Sequence, residues 1–252
     1  MQMFQFGFSI ANDHLNWYNT IAEVFAIKVK KCGGICANVQ KADKTVVAVA
    51  CETQCKTALL KEIRECLIDM YATVVKHDYL KRTIRLPLER NSYNLLLHTL
   101  VAFDRENERE IIADNLLLCD GMSLDGIFYF RLQELRTRWE EIARLATENA
   151  PYLIDEDTLN ELIRFLISAV NPKIMRLDVS QHDNRYNVSG HLPESDFEYN
   201  IIGTEQLLLY LIDIAPLELR LNGQFTDKRL CDRLVRIFDA KRGESCEVNK
   251  SR

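Results

Sequence analysis

The chain has 252 residues and a formal net charge of −5, with 47% hydrophobic and 27% charged residues. These values are typical of a globular chain that can bury a core, and the negative charge argues against bulk, sequence-independent nucleic-acid binding. Apolar runs stay far below the ~18 residues that a membrane-spanning helix needs. Because the first ten residues, MQMFQFGFSI, read as a strand and lack the basic segment of a secretory signal, we expect a cytoplasmic protein.

Residues 1–53 are predicted to form a β-α-β-β zone. Alternating apolar and polar residues favour a strand over 1–10, and a capped apolar pattern favours a helix over 14–31. Two β-rich runs at 35–40 and 45–51 then predict a hairpin. If its turn centres on Ala42 and Asp43, the facing residue numbers sum to 85.

Residues 54–172 are predicted to be helical. Apolar residues recur there at spacings of three and four, which places them on one face of each helix. We expect a bundle of about five helices, bounded by proline and glycine breaks. The predicted segments are a helix that carries the apolar residues from Leu59 to Val74, followed by helices over 91–103, 106–119, 124–149 and 159–170.

Residues 173–242 are predicted to form a β-β-α-β-α zone, and the polar tail 243–252 is expected to be disordered. The predicted elements are a strand over 174–180, weaker strand candidates at 186–190 and 197–202, a buried helix over 204–214, a strand over 217–221 and an amphipathic helix over 226–241. The fold class is therefore α+β, with mixed α/β zones at both ends of a central helical bundle. The strands of the two ends could build one sheet in one compact domain, or two separate small domains.

Three segments resemble the YtxC-like family of sporulation proteins, in the same order. They are LDGIFYFRLQEL (124–135), LNELIRFLISAVNPKIMRLDV (159–179) and IIGTEQLLLYLIDIAPLELRLN (201–222). The resemblance implies a role linked to sporulation, but it implies no catalytic residue. It does not extend to the cysteine-rich N-terminal zone.

Cysteines form the first candidate site. Eight are present, at positions 32, 36, 51, 55, 66, 119, 231 and 246. We expect reduced thiols, because the chain is long and shows no export signal. Cys32, Cys36, Cys51 and Cys55 flank the predicted hairpin and could bind zinc as four thiolates. Buried or incidental thiols are the favoured alternative, because the spacing differs from the usual C-x2-C.

Arg131 forms the second candidate site. On a continuous helix from residue 124 it would lie inside the apolar stripe between Phe128 and Leu135, with Arg138 at the edge of that stripe. A guanidinium that faces the core needs acceptors. We favour a structural ion pair over an anion-binding arginine.

The predicted C-terminal helix is the third candidate. Over residues 227–242 it carries three acids and six bases, namely Lys228, Arg229, Arg233, Arg236, Lys241 and Arg242. Such a face is usually solvated, but it could dock an acidic partner or anionic headgroups.

Nucleotide-binding and hydrolase motifs are absent from the sequence. We therefore expect a non-enzymatic, sporulation-associated protein that contacts a protein partner. The first alternative is nucleic-acid or anion binding through the C-terminal basic helix and Arg131. The second alternative is an enzyme with an unrecognised site.

Overall fold

The computed structural model describes residues 2–183, 185–192 and 195–242. Of the described residues, 58% are helical and 23% lie in strands, which confirms the α+β fold class. The chain forms two compact units. Unit 1 consists of the residues up to Thr83 together with Arg105–Ala143, and unit 2 of Ile84–Asp104 together with the residues from Arg144 onward. The predicted helical region 54–172 contributes to both units.

Helices occupy most of the middle of the chain. They are α1 (Leu15–Lys31), α2 (Lys56–Asp69), α3 (Lys76–Thr83), α4 (Arg90–Ala102), α5 (Arg105–Asn115), α6 (Leu124–Gly126), α7 (Gln133–Glu148), α8 (Ala150–Leu153), α9 (Glu156–Ser168), α10 (Thr204–Ile214) and α11 (Lys228–Phe238). Two segments are π-helical, Met70–Val75 between α2 and α3 and Ile127–Arg131 after α6. Within the described ranges, no helix is both long enough and apolar enough to cross a membrane.

Strands form one sheet in each unit. They are β1 (Met3–Ala11), β2 (Ile35–Gln40), β3 (Lys44–Glu52), β4 (Met122–Ser123), β5 (Arg176–His182), β6 (Arg185–Leu192), β7 (Ser195–Ile202), β8 (Glu218–Asn222) and β9 (Lys241–Arg242). The sheet of unit 1 has the order β2-β3-β1-β4, and the sheet of unit 2 has the order β7-β6-β5-β8-β9. The strands of the two ends therefore form two separate sheets and do not join in one.

The N-terminal hairpin has the predicted register. Cys36 lies opposite Val49 and Ile35 lies opposite Ala50, as numbers that sum to 85 require. Gly33 follows α1 with a φ of +70°, a conformation that glycine adopts without strain, and so lets the chain leave the helix and enter β2.

The predicted helix over 124–149 is interrupted, and this corrects the placement of Arg131. The backbone N–H of Leu132 donates to the carbonyl of Ile127 at 3.1 Å, which is a wide π-type turn, and α7 begins only at Gln133. The apolar stripe that includes Phe128 and Leu135 is buried as predicted. Arg131 itself is exposed, because the wide turn rotates it away from that stripe.

Each unit has its own apolar core. In unit 1, Phe8 of β1 packs its ring against Tyr18 and Phe25 of α1, with ring centroids 5.9 and 5.8 Å away. In unit 2, the buried side chains of the central strands and of α10 and α11 form the core. They include Leu177, Val179, Leu219, Leu221, Leu207, Leu211, Leu230 and Leu234.

Unit 1 also buries an ion pair completely. The Nζ of Lys76 lies 2.8 Å from Oε1 of Glu108, and both side chains are at most 1% exposed. Trp139 donates its indole N–H to the same carboxylate at 2.9 Å. These groups tie α3, α5 and α7 together.

Candidate functional site

The outer edge of β2, here called the β2 edge (Ile35–Gln40), is the first candidate site. In the described part of unit 1, β2 is one of the two terminal strands of the sheet, and β3 is its neighbour on the inner side. Its sequence ICANVQ contains neither charge nor proline. Ile35 is 70% and Val39 56% exposed. The β2 edge is thus an accessible, uncharged strand edge.

The pairing with β3 fixes which backbone groups of β2 point outward. The N–H of Lys41 donates to the carbonyl of Lys44 at 2.8 Å at the base of the hairpin. Since hydrogen-bonded and non-bonded pairs alternate along antiparallel strands, the backbone groups of Ile35, Ala37 and Val39 face β3. Those of Cys36, Asn38 and Gln40 therefore point away from the sheet.

One face of the same sheet is open, and the part of it on β2 and β3 is apolar. Val47 and Val49 of β3 point to the buried face, whereas Val46, Ala48 and Ala50 are partly or fully exposed. The exposed side chains of Ile35, Ala37 and Val39 continue this face onto β2. An antiparallel sheet with one face in water usually carries polar residues there. On β1 the same face carries the polar Gln5 and Ser9, so the apolar part of the face is confined to β2 and β3. That apolar part is typical of a contact surface.

The four cysteines of the predicted zinc site are only partly brought together. Cys51 is buried, and its pKa is raised by burial and then by the thiols of Cys55 and Cys32 nearby. The thiol of Cys36 instead lies 3.8 Å from the hydroxyl of Tyr18. Among the residues that the structure describes, no three His, Cys, Asp or Glu side chains are placed to hold a metal. Zinc binding stays a prediction.

Arg131 and Arg138 belong to unit 1 and are both exposed. Arg138 donates to Glu134 at 2.8 Å, one helical turn away. An anion-binding role of either arginine stays a prediction.

The four predicted binding residues of the C-terminal helix do share one cleft in unit 2. It has a volume of about 470 Å³ between α9 and α11, and its basic side chains are Lys228, Arg229, Arg233 and Arg236. Acids of α9 line the same cleft and pair with these bases.

Three of the arginines have partners on α9. Arg229 donates to Glu156 at 2.7 Å, and this bond lowers the pKa of Glu156. Arg236 pairs with Asp157, and the half-buried Arg233 donates to Asn160. The positive charge of α11 is therefore largely compensated within unit 2.

Unit 1 contains another cleft, here called the aromatic cleft, which was not predicted from the sequence. Its floor and walls include Trp17, Tyr79 and Phe128, and its rim includes Arg82, Arg136 and Glu140. These residues come from three distant segments of the chain. The aromatic run IFYFR was a sequence signal for an aromatic cluster. Helical periodicity, however, gave no indication that this run would pack against α1 and α3.

Comparison with known proteins adds no family. No family model, curated protein or solved structure matches this chain. The resemblance to the YtxC-like family stays a prediction.

Proposed function

We propose that this protein is a non-enzymatic interaction protein and that an extended segment of a partner protein docks on the β2 edge as an added strand. The observation that carries the proposal is the combination of outward backbone groups with an uncharged, proline-free strand of six residues. Natural proteins commonly protect such edges with charges, prolines, bulges or a covering element. An edge without protection is suited to strand addition.

The chemistry of the edge defines the partner segment. Main-chain hydrogen bonds to Cys36, Asn38 and Gln40 would supply affinity without regard to sequence. The open apolar face beside Ile35 and Val39 would select apolar side chains at alternate positions. The partner segment is therefore extended, weakly charged and apolar on one side.

The setting of this contact is also part of the proposal. The resemblance to sporulation proteins supports a partner from the sporulation programme, and we place the contact in the cytoplasm as part of the same proposal.

Site-specific photocrosslinking in the source cells tests the proposal. A photoreactive residue replaces Val39 on the β2 edge, and a matched control replaces Leu117, an equally exposed apolar residue in the loop after α5. We expect a single protein adduct from position 39, with the crosslink in an extended segment. A crosslinked peptide from this chain itself would identify the partner as a second copy. Equal adducts from both positions would contradict the proposal.

Anion or nucleic-acid binding through α11 is the second candidate function. The observation that favours it is the convergence of Lys228, Arg229, Arg233 and Arg236 on one cleft. The acids of α9 weaken this candidate function, because they already pair with the arginines of α11 or lie close to them. Binding that falls steeply with salt would support this function.

A further inference from the structure

The aromatic cleft of unit 1 has a rigid apolar floor. Trp17 and Phe128 are almost fully buried, and their rings meet edge to face at 5.3 Å. Trp17 donates its indole N–H to Asp78 at 2.9 Å, and Trp139 stacks behind Phe128 at 6.0 Å. Tyr79 forms a wall, with its ring 6.3 Å from that of Phe128. His14 also stacks on Trp17, with ring centroids 4.1 Å apart. The floor is therefore held in place and covered, and the partly exposed ring of Tyr79 is the surface of the cleft that a flat apolar group can contact.

One pair of opposite charges at the cleft is already satisfied internally. Asp78 accepts from Trp17 and from two nitrogens of Arg82, at 2.9 to 3.1 Å. This carboxylate and this guanidinium are occupied by each other. They are poor candidates for ligand contacts.

A second pair of opposite charges is held apart. Arg136 and Glu140 stand four residues apart on α7, a spacing at which such side chains normally pair. On the same helix, Arg138 pairs with Glu134 at 2.8 Å and Arg144 pairs with Glu148 at 2.6 Å. Within the described ranges, Arg136 pairs with no carboxylate and Glu140 pairs with no basic side chain.

Other contacts of the cleft explain this separation. Arg136 donates to the carbonyl of Tyr129 at 3.0 Å and lies over the rings of Phe128 and Tyr129. Glu140 accepts from the hydroxyl of Tyr79 at 3.1 Å. Burial, then the bond to Glu140, raises the pKa of Tyr79 to about 12, so the hydroxyl remains a donor at neutral pH. Arg136 keeps donors and Glu140 keeps acceptors for a ligand.

We propose that the aromatic cleft binds the zwitterion of a free α-amino acid with an aromatic side chain. Its carboxylate would accept hydrogen bonds from Arg136, and its ammonium would donate to Glu140. Its ring would lie in the cleft against the partly exposed ring of Tyr79. A ligand of one charge alone would satisfy only one of the two groups on α7.

The size of the cleft fits this class of ligand. Its volume is about 280 Å³, just below the range of roughly 300 to 1,000 Å³ that is typical of sites for drug-sized ligands. A single amino acid matches this space better than a nucleotide.

Calorimetric titration of the full chain with four probes tests the assignment. L-phenylalanine carries both charges and the ring, 3-phenylpropanoate lacks the ammonium, phenethylamine lacks the carboxylate, and glycine lacks the ring. We expect saturable binding of L-phenylalanine, and binding of each other probe weaker by about tenfold or more. The two singly charged probes lose a hydrogen bond to a charged group, and glycine loses the burial of the ring. No saturable binding of L-phenylalanine, or equal binding of all four probes, would overturn the proposal.

Variants of α7 locate the binding site. Glu140→Gln and Arg136→Gln each remove one charge of the cleft, and Glu134→Gln is the matched control on the same helix. We expect the two cleft variants to weaken L-phenylalanine binding by about tenfold and the control to leave it unchanged. Unfolding midpoints of all variants show whether they fold, and Glu140 is exposed enough for Glu140→Gln to fold normally. Unchanged binding by a folded Glu140→Gln variant would overturn the assignment.

The aromatic cleft and the β2 edge share no residue. Val39→Lys alters that edge and is expected to leave L-phenylalanine binding at its original affinity. A loss of binding in Val39→Lys would contradict the assignment to the aromatic cleft.

Discussion

Units 1 and 2 both combine a sheet with helices, but they differ in which strand edges and charged side chains are available for binding. The terminal strand β2 of unit 1 is uncharged, whereas the terminal strand β7 of unit 2 carries Asp196 and Glu198. Acids on an edge discourage the addition of another strand. The α7 helix of unit 1 holds Arg136 and Glu140 apart, whereas the arginines of α11 in unit 2 have acceptors on α9.

Whether a group is available for binding depends on its partners within the fold and not on the composition of its segment. By composition, α11 is the most basic helix of the chain, yet its charge is compensated by an acidic helix about 70 residues earlier. By composition, β2 resembles a core strand, yet it lies at the rim of its sheet. Available groups therefore lie mainly in unit 1.

The largest expected effect comes from breaking the buried ion pair of unit 1. Lys76→Met leaves the buried carboxylate of Glu108 without its ammonium partner, and we expect the free energy of unfolding to fall by about 3 to 5 kcal/mol. Urea denaturation measures this change. Lys28→Met is the control, because it removes a partly exposed ion pair with Glu62 and should cost at most ~1 kcal/mol. Equal losses in the two variants would contradict the description of the Lys76 pair as buried.

Charges on the β2 edge should make β2 as poorly suited to strand addition as the acidic strand β7. In the double variant Ile35→Lys, Val39→Lys, both side chains are exposed, so we expect stability to change by no more than ~0.5 kcal/mol per site. The yield of partner adducts should fall about tenfold, because a lysine at the edge disfavours strand addition. The crosslinker sits at position 37 in this experiment. Phe165→Lys on α9, an exposed apolar residue of unit 2, is the control and should leave the yield unchanged.

Removal of the acids on α9 should leave the positive charge of α11 uncompensated and so allow unit 2 to bind anions. Glu156→Gln with Asp157→Asn frees Arg229 and Arg236, so we expect several-fold tighter binding to a polyanion such as heparin, with a steeper dependence on salt. Retention on a heparin column at several salt concentrations measures this effect. Tight binding by the unmodified protein would contradict the internal compensation of α11.

The smallest expected effect concerns acid stability at the same helix pair. The hydrogen bond from Arg229 lowers the pKa of Glu156 from its ordinary value of 4.5, so ionised Glu156 stabilises the folded state. That contribution is fully present above pH 4.5 and is lost as the pH falls through the lowered pKa. We expect Glu156→Gln to lower the thermal midpoint slightly at pH 7 but not at acid pH below the lowered pKa. A difference that grows on acidification would contradict this sign.

Much of the local structure could be predicted because its causes are local. The alternation of Val47 and Val49 with Ala48, together with a turn at Ala42 and Asp43, fixed the hairpin register that the structure confirms. Asp155 and Asp227 stand at the N-termini of α9 and α11, where an acid is a common cap, and each accepts a backbone N–H three residues later.

The strand order could not be predicted, because β4 and β9 have two residues each and carry no periodic signal. The wide turn at Leu132 had no proline or glycine to mark it, so Arg131 was placed on the wrong face. Side-chain contacts between residues far apart in the sequence could not be predicted either. The contacts of Glu156 with Arg229 and of His14 with Tyr129 join residues 73 and 115 positions apart.

Amide hydrogen exchange along β2 tests the central claim most directly. The sample is the protein with and without a synthetic copy of the segment crosslinked at position 39. If that segment adds as a strand, the outward amides of Cys36, Asn38 and Gln40 become protected, while those of Ile35, Ala37 and Val39, already bonded to β3, change little. If the outward amides exchange as fast in the complex as in the free protein, the segment does not pair with the β2 edge and the account is wrong.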